Sequence, residues 1–466
     1  MRSATKRRLR FRGNKIAEGN TRKEAVRSVN RRPVTPSSPD SGPARRAADT
    51  AGSAGSRRNC VLPVQCEAVG VATFQAEQFT VELTNEVLAD LRTRIRNTRW
   101  PGAAPGAPWD QGTDLGYLRG LLEYWADGFD WRAQERSLNG FGHFRARIDG
   151  LRVHFVHQRA RSGHGIPLIL THGWPSCFAE FLPLVPRLTD PAAHGIGGPG
   201  FDVVIPSLPG YGFSDRPART RVTCRYTAGL WHRLMRGLGY QRYGAHGGDF
   251  GAAVTTFMAL DDPAPMLGIH LSNLDVAPYT GPGSRPPSPA ERAYLAQYQR
   301  WREDDRGYGA IQSTRPQTVS YGLNDSPAGL AAWVLEKWRG WSDSGGDIDA
   351  TFSRDFLLTV VTLYWATQTI ASSMRDYLDN RGLAAELGPA DAVTVPTAVA
   401  VFAHQFIDDG TPPREWADRL YNVRRWTAMP RGGHFPAAEE PDMLSRDIAA
   451  FFNDLSSAHP PPPPNQ

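Results

Sequence analysis

Gly244-Ala245-His246-Gly247-Gly248-Asp249-Phe250-Gly251-Ala252 is the stretch whose reading decides the fold. It has the small-x-nucleophile-x-small layout of a nucleophile elbow, a sharp strand-to-helix turn that lifts one side chain above the end of a sheet. The raised position is most familiar as serine; here it is Asp249, with Gly247 and Gly251 two residues to either side. A carboxylate is already ionised near neutral pH, so it needs no proton relay to act as a nucleophile. Its attack on carbon would give an alkyl–aspartyl ester. The ordinary alternative is a Gly-rich turn whose Asp bonds to nearby backbone, and the surrounding chain has to discriminate between the two.

Working outward, the pattern alternates strand and helix. Upstream, Pro167-Leu168-Ile169-Leu170-Thr171 and Phe201-Asp202-Val203-Val204-Ile205-Pro206 are short, nearly continuous apolar runs, as expected for strands buried on both faces. A helix-like stretch near 181–188 separates them, which makes a βαβ unit and a parallel sheet. Tyr226–Leu238 reads as the helix leading into the elbow strand, Gly251–Leu260 as the helix behind Asp249, and Leu267–Leu271 as a further strand. Further back, His143–Ile148 and Leu151–His157 alternate around Gly150 and predict an antiparallel hairpin. Before that, Val87, Leu88, Leu91 and Ile95 recur at helical spacing behind a Thr84 cap, and Trp100-Pro101 ends the pattern. Thr113 is read as the cap of a second helix, carrying Leu115, Leu118, Leu121, Leu122 and Trp125.

Downstream, the composition turns to Gly/Pro-rich loop and then to helices, with no strand signal until Val395. Val395–Phe402 and Asn422–Met429 then read as strands and Asp442–Leu455 as a closing amphipathic helix. The expected division is a basic extension over 1–75, an N-terminal lead segment over 76–142, a core in two parts (143–275 and 388–457), a helical cap over 276–387 and a Pro-rich tail over 458–466. The fold class is α/β, with a mostly parallel central sheet.

The net charge of +6 is unevenly spread. Residues 1–58 hold 16 Lys/Arg against 4 Asp/Glu, leaving 37 against 43 in the rest. The mildly acidic body argues against nucleic acid as its partner. Four cysteines without a C-x-x-C pair do not make a disulfide scaffold, and a reducing, cytoplasmic setting fits best. No stretch has the length of a membrane span, and the basic N-terminus lacks the apolar region of a signal peptide.

An Asp elbow on such a sheet belongs to the α/β-hydrolase plan, which demands a fixed order of oxyanion loop, nucleophile, acid and histidine. His172-Gly173-Trp174-Pro175 directly follows a strand, so the Trp174 and Phe250 N–H groups are the candidate oxyanion donors. The turn-rich loop Ser207–Ser214 is expected to line the site. His434, in Arg431-Gly432-Gly433-His434-Phe435 after the last strand, stands where a general base belongs.

With these motifs in one order, the chain resembles an epoxide hydrolase of the microsomal type over about residues 79–455. Arg99-Trp100-Pro101, Phe129-Asp130-Trp131-Arg132 and Leu138-Asn139 carry the resemblance through the lead segment. The resemblance implies hydrolysis of an organic epoxide to a vicinal diol, with no metal or organic cofactor and with water as co-substrate; a homodimer is compatible with it. It also implies two ring-opening phenols, Tyr308 in Tyr308-Gly309-Ala310-Ile311-Gln312 and Tyr377 in Ser372-Ser373-Met374-Arg375-Asp376-Tyr377. Phenols with a pKa of ~10 are protonated at neutral pH and can hydrogen-bond to a leaving epoxide oxygen.

The acid departs from the family pattern. Counting along Phe402-Ala403-His404-Gln405 puts Gln405 at the position of the acid, whereas counting back from His434 through Trp416, Arg414 and Pro413 lands on Asp408. We expect Asp408 behind His434, with Asp409 second and Asp275 a distant third. A haloalkane dehalogenase is the rival enzyme, since it too uses an Asp elbow but needs halide-binding N–H donors. The rival of another class is a non-catalytic binding protein on the same fold.

Overall fold

A computed structural model describes residues 74–404 and 411–458. The chain separates into units 1–70 and 71–466, and the described residues all lie in the second. The extension over 1–75 falls almost wholly outside them, as do Asp408, Asp409 and the polyproline tail.

Among the described residues, nine strands form one sheet: β1 (Ala76–Gln78), β2 (His143–Ile148), β3 (Leu151–Gln158), β4 (Ile166–Thr171), β5 (Phe201–Pro206), β6 (Tyr243–Gly247), β7 (Met266–Leu271), β8 (Val393–Val401) and β9 (Tyr421–Ala428). Their order is β1-β2-β3-β5-β4-β6-β7-β8-β9. β1, β2 and β3 pair antiparallel, and β3 meets β5 antiparallel. From β5 to β9 every pairing is parallel. The apolar runs lie where their composition demands: β5 and β6 are buried throughout, between neighbours and beneath helices. The helix Phe250–Asp261 behind the elbow is buried from Phe250 to Ala259, so its near-continuous apolar sequence reflects enclosure on all sides.

The lead segment is tied down by its polar motif residues. Asn139 exchanges two hydrogen bonds with the backbone of Val81, at 2.9 and 2.8 Å. Glu135 accepts from Leu83 N and from the Trp131 indole. Thr84 caps the helix Asn85–Arg96 as expected. Thr113 does not cap the next: the helix is Leu115–Asp127, and the Asp114 side chain accepts from Tyr117 N. A carboxylate one residue closer to the first turn reaches that N–H, and Thr113 Oγ1 instead donates to Ala332 O, 219 residues away.

Between β7 and β8 the chain forms a helical cap, including Pro289–Asp304, Gly307–Gln312, Pro327–Trp341, Arg354–Thr367 and Ile370–Asp379. Its first helix is pinned to the core by a buried pair, Glu291 with Arg419, at 2.6 Å.

Candidate active site

Asp249 sits between β6 and its helix at φ 52°, ψ −131°. A non-glycine residue in that region is strained and persists only where the surroundings dictate it. Three restraints do so. Its N–H donates to Asn273 Oδ1 at 2.7 Å, its carbonyl accepts from Ala252 N at 2.8 Å, and two glycines let the chain close. A Cβ on Gly251 would run into the Thr171 carbonyl, and one on Gly247 into the Gly251 carbonyl.

The loop after β4 closes over the same carboxylate. Trp174 N–H donates to Asp249 Oδ1 at 2.8 Å. Phe250 opens the helix after Asp249, so its N–H is among the four that a helix leaves without an intrahelical acceptor. His172 holds the loop: one ring nitrogen meets Gly173 O and the other accepts from Leu208 N. Burial pushes its imidazole down to about 4, so it is neutral and able to accept at pH 7. The Ser207–Ser214 loop, expected to line the site, lies on neither cavity wall described below. It buttresses from behind, through Leu208 and through the Tyr211 hydroxyl bonded to Ser373 O.

The structure brings three of the remaining sequence-derived candidates, His434, Tyr308 and Tyr377, to this carboxylate or its neighbours. His434 Nε2 stands 3.5 Å from Asp249 Oδ2. Its loop is clamped by His434 N–H on Trp341 O, Phe435 N–H on Glu439 and Gly432 N–H on Asp343. Tyr308 and Tyr377 come from separate cap helices, yet their rings lie 5.8 Å apart and nearly perpendicular. Trp174 stacks on Tyr308 at 5.5 Å, and Tyr377 meets Trp174 and Phe250 edge-on. Burial raises both phenols well above their ordinary value; the Asp249 charge adds to this for each, and for Tyr377 the neighbouring Tyr308 does too. Both are therefore protonated donors across the physiological range.

Two cavities meet at Asp249. The larger, about 730 Å³, is lined by Tyr308, Tyr377, Phe250 and aromatic residues such as Tyr298 and Trp416. Asp275, third choice for the acid, lines this cavity rather than backing His434, and burial with the nearby Asp249 charge pushes its carboxyl up to about 7. The smaller, about 10 Å³, lies on another side of the carboxylate and is lined by His434, Glu180, His246 and Ser272. Sequence reading missed Asn273, which holds the Asp249 N–H, and Glu180, which lines the small cavity. Asn273 lies two residues past β7, and Glu180 is a lone acid in an apolar run.

Known proteins resemble this chain in sequence and fold. Residues 76–181 match the family model described as epoxide hydrolase N terminus, and residues 166–322 match that of the alpha/beta hydrolase fold. Epoxide hydrolase 1 of Sus scrofa is 36% identical over 409 residues, covering 81% of this chain and 88% of the relative. The chain belongs to the epoxide hydrolase family. A relative from Stigmatella aurantiaca (strain DW4/3-1) is 42% identical over 379 residues, covering 81% of this epoxide hydrolase and 84% of the relative. The crystal structure of juvenile hormone epoxide hydrolase from the silkworm Bombyx mori superposes with a TM-score of 0.75 at 29% identity, covering 82% of this chain and 95% of that one. Aspergillus niger epoxide hydrolase gives 0.70 at 30%, covering 82% and 97%. The activity is hydrolysis of an epoxide, and neither the dehalogenase nor the non-catalytic alternative is favoured by these relatives.

Proposed function

We propose that this enzyme opens its epoxide with Asp249 as nucleophile and releases a vicinal diol by hydrolysing the resulting ester. The observation that carries the reading is the shared carboxylate: Oδ1 is held by Trp174 N–H, the two phenols lie on one side and His434 on another. In the first step an Asp249 oxygen bonds to an epoxide carbon, the C–O bond breaks, and the oxygen takes a proton from Tyr308 or Tyr377. In the second, water gives a proton to His434 while its oxygen bonds to Cγ of the ester, and the oxyanion is met by the Trp174 and Phe250 N–H groups. Collapse expels the diol oxygen, which takes the proton from His434. The acid proton left on Asp249 restores the phenol.

Asp408 is our choice for the acid orienting His434, with Asp409 second. The cavity suits an epoxide carrying an aryl or alkyl body, given its aromatic walls. No helix among the described residues is long and apolar enough to cross a membrane, and the sparse cysteines favour a cytoplasmic setting. The test uses styrene oxide. Asp249→Ala should lose turnover, and His434→Gln should slow ester hydrolysis by ~10²–10⁴-fold and accumulate the ester, seen as added mass on the Asp249 peptide. An Asp249→Ala enzyme with undiminished diol formation would refute the mechanism. Chloride release from haloalkanes is expected to be absent.

A further inference from the structure

The small cavity suggests where the second step's water comes from. We infer that Glu180 and His246 form a dedicated site for one water beside Asp249 and His434, separate from the epoxide pocket, and act as positioning residues for ester hydrolysis. This rests on the Asp249 mechanism proposed above.

Size and chemistry agree. A space of about 10 Å³ has room for roughly one water, and a buried water needs two to four polar partners. The wall supplies them. His246 is buried, and its Nε2 has no hydrogen-bond partner among the described residues. Glu180 is buried at the same wall, on the short helix Phe178–Phe181, and His434 closes the space from the loop after β9. A buried ring nitrogen costs stability unless something bonds it, and Glu180, already hydrogen-bonded with Ser176, has capacity for a further partner.

The donor pattern follows from the partners behind. Asp447 is held ionised by His270, Arg425 and Thr427, and accepts from His270 Nε2 at 3.0 Å. The other His270 ring nitrogen, Nδ1, lies 3.0 Å from His246 Nδ1. That contact occupies His246 Nδ1, so Nε2 is the ring nitrogen left to face the cavity. Burial, with Asp249 and Glu439 adding and Ser176 opposing, pushes Glu180 up to about 8, so at pH 7 it is a neutral acid with a proton to donate. A water here can give one proton to His434 and be held by His246 Nε2 and Glu180 while its oxygen meets Cγ of Asp249. The epoxide pocket is filled by the alkyl ester at this stage, so a water approaching from the other side meets no steric competition.

The experiment follows single turnovers of styrene oxide, with separate rates for ester formation and ester hydrolysis read by quenched-flow mass spectrometry. Glu180→Leu should form the ester at the wild-type rate and hydrolyse it ~100-fold more slowly, the cost of a misplaced reactant. Glu180→Gln should stay close to wild type at pH 7, because an amide keeps both the donor and the acceptor of a neutral acid. A folded Glu180→Leu enzyme with wild-type ester hydrolysis would overturn the inference, as would loss of both steps together in both variants. A wild-type crystal structure supplies a check independent of how the variants fold: density for one water touching Glu180, His246 and His434 is expected, and a cavity without it overturns the site. If His434→Gln loses turnover without accumulating ester, the failure lies instead with the Asp249 mechanism.

Discussion

Gly173→Ala tests the closest approach in the site. A Cβ built on Gly173 would lie 2.7 Å from Asp249 Cγ and closer still to Asp249 Cβ and Oδ1. Unstrained carbon contacts sit at about 3.5–4.0 Å, so about 1 Å of overlap has to be relieved. The elbow cannot yield, because Gly251 is already pressed against the Thr171 carbonyl. The Trp174 loop must therefore lift, and its N–H, now 2.8 Å from Asp249 Oδ1, leaves hydrogen-bonding range. Loss of one oxyanion donor costs ~10²–10³ in rate, and the overpacking costs ~1–3 kcal/mol of stability. The assay pairs single-turnover ester hydrolysis with urea denaturation. A less stable but folded variant with an unchanged hydrolysis rate would refute the placement of Trp174 N–H in the oxyanion hole.

Other expectations address the phenols and the cap. Tyr308→Phe and Tyr377→Phe should each slow ester formation by ~10²-fold or more and leave hydrolysis of a preformed ester unchanged; the two rates from quenched flow check this. Glu291 is held down to about 2 chiefly by Arg419, against ~4.3 for an unpaired side chain. The unfolded chain takes up its proton first, so this contribution to stability is complete above about pH 4.3 and is lost as pH falls through about 2. Glu291→Gln should therefore flatten the acid limb of stability in that window, as followed by denaturation midpoints against pH, and a limb of unchanged steepness would show that the pair does not anchor the cap.

Much of this was legible because the signals were redundant. Runs such as Leu168–Leu170 and Val203–Ile205 are apolar because both faces of a central parallel strand are covered, whereas the 143–157 hairpin alternates in sequence although Val153 to Val156 are all buried. β1 was missed for the opposite reason: Ala76-Glu77-Gln78 is exposed throughout and pairs by backbone alone, which leaves no apolar trace. The elbow, the loop carrying Trp174 and the loop carrying His434 were readable because their glycines mark close approaches. Asn273 and Glu180 were not, since a polar residue in or beside an apolar run has no period, and its partner lies on a distant element. The Ser207–Ser214 loop was placed one layer too near the site, because turn chemistry specifies a rigid shape and says nothing of which neighbour it faces. Asp408 and Asp409 lie outside the described residues.

The groups around Asp249 are scattered along the chain: Trp174 follows β4, Tyr308 and Tyr377 belong to the cap, and His434 follows β9. Contacts of such long sequence separation form late in folding, because loop closure must precede them. During synthesis His434 leaves the ribosome some 185 residues after Asp249, so a nascent chain holds the elbow residue well before the groups that would let it act as the proposed nucleophile. The strained φ of Asp249 is imposed by parts that arrive at different times. Catalytic turnover is thus a stringent reporter of complete folding, and counting ester-forming sites against total protein would measure the fraction of molecules whose cap and last strand have docked.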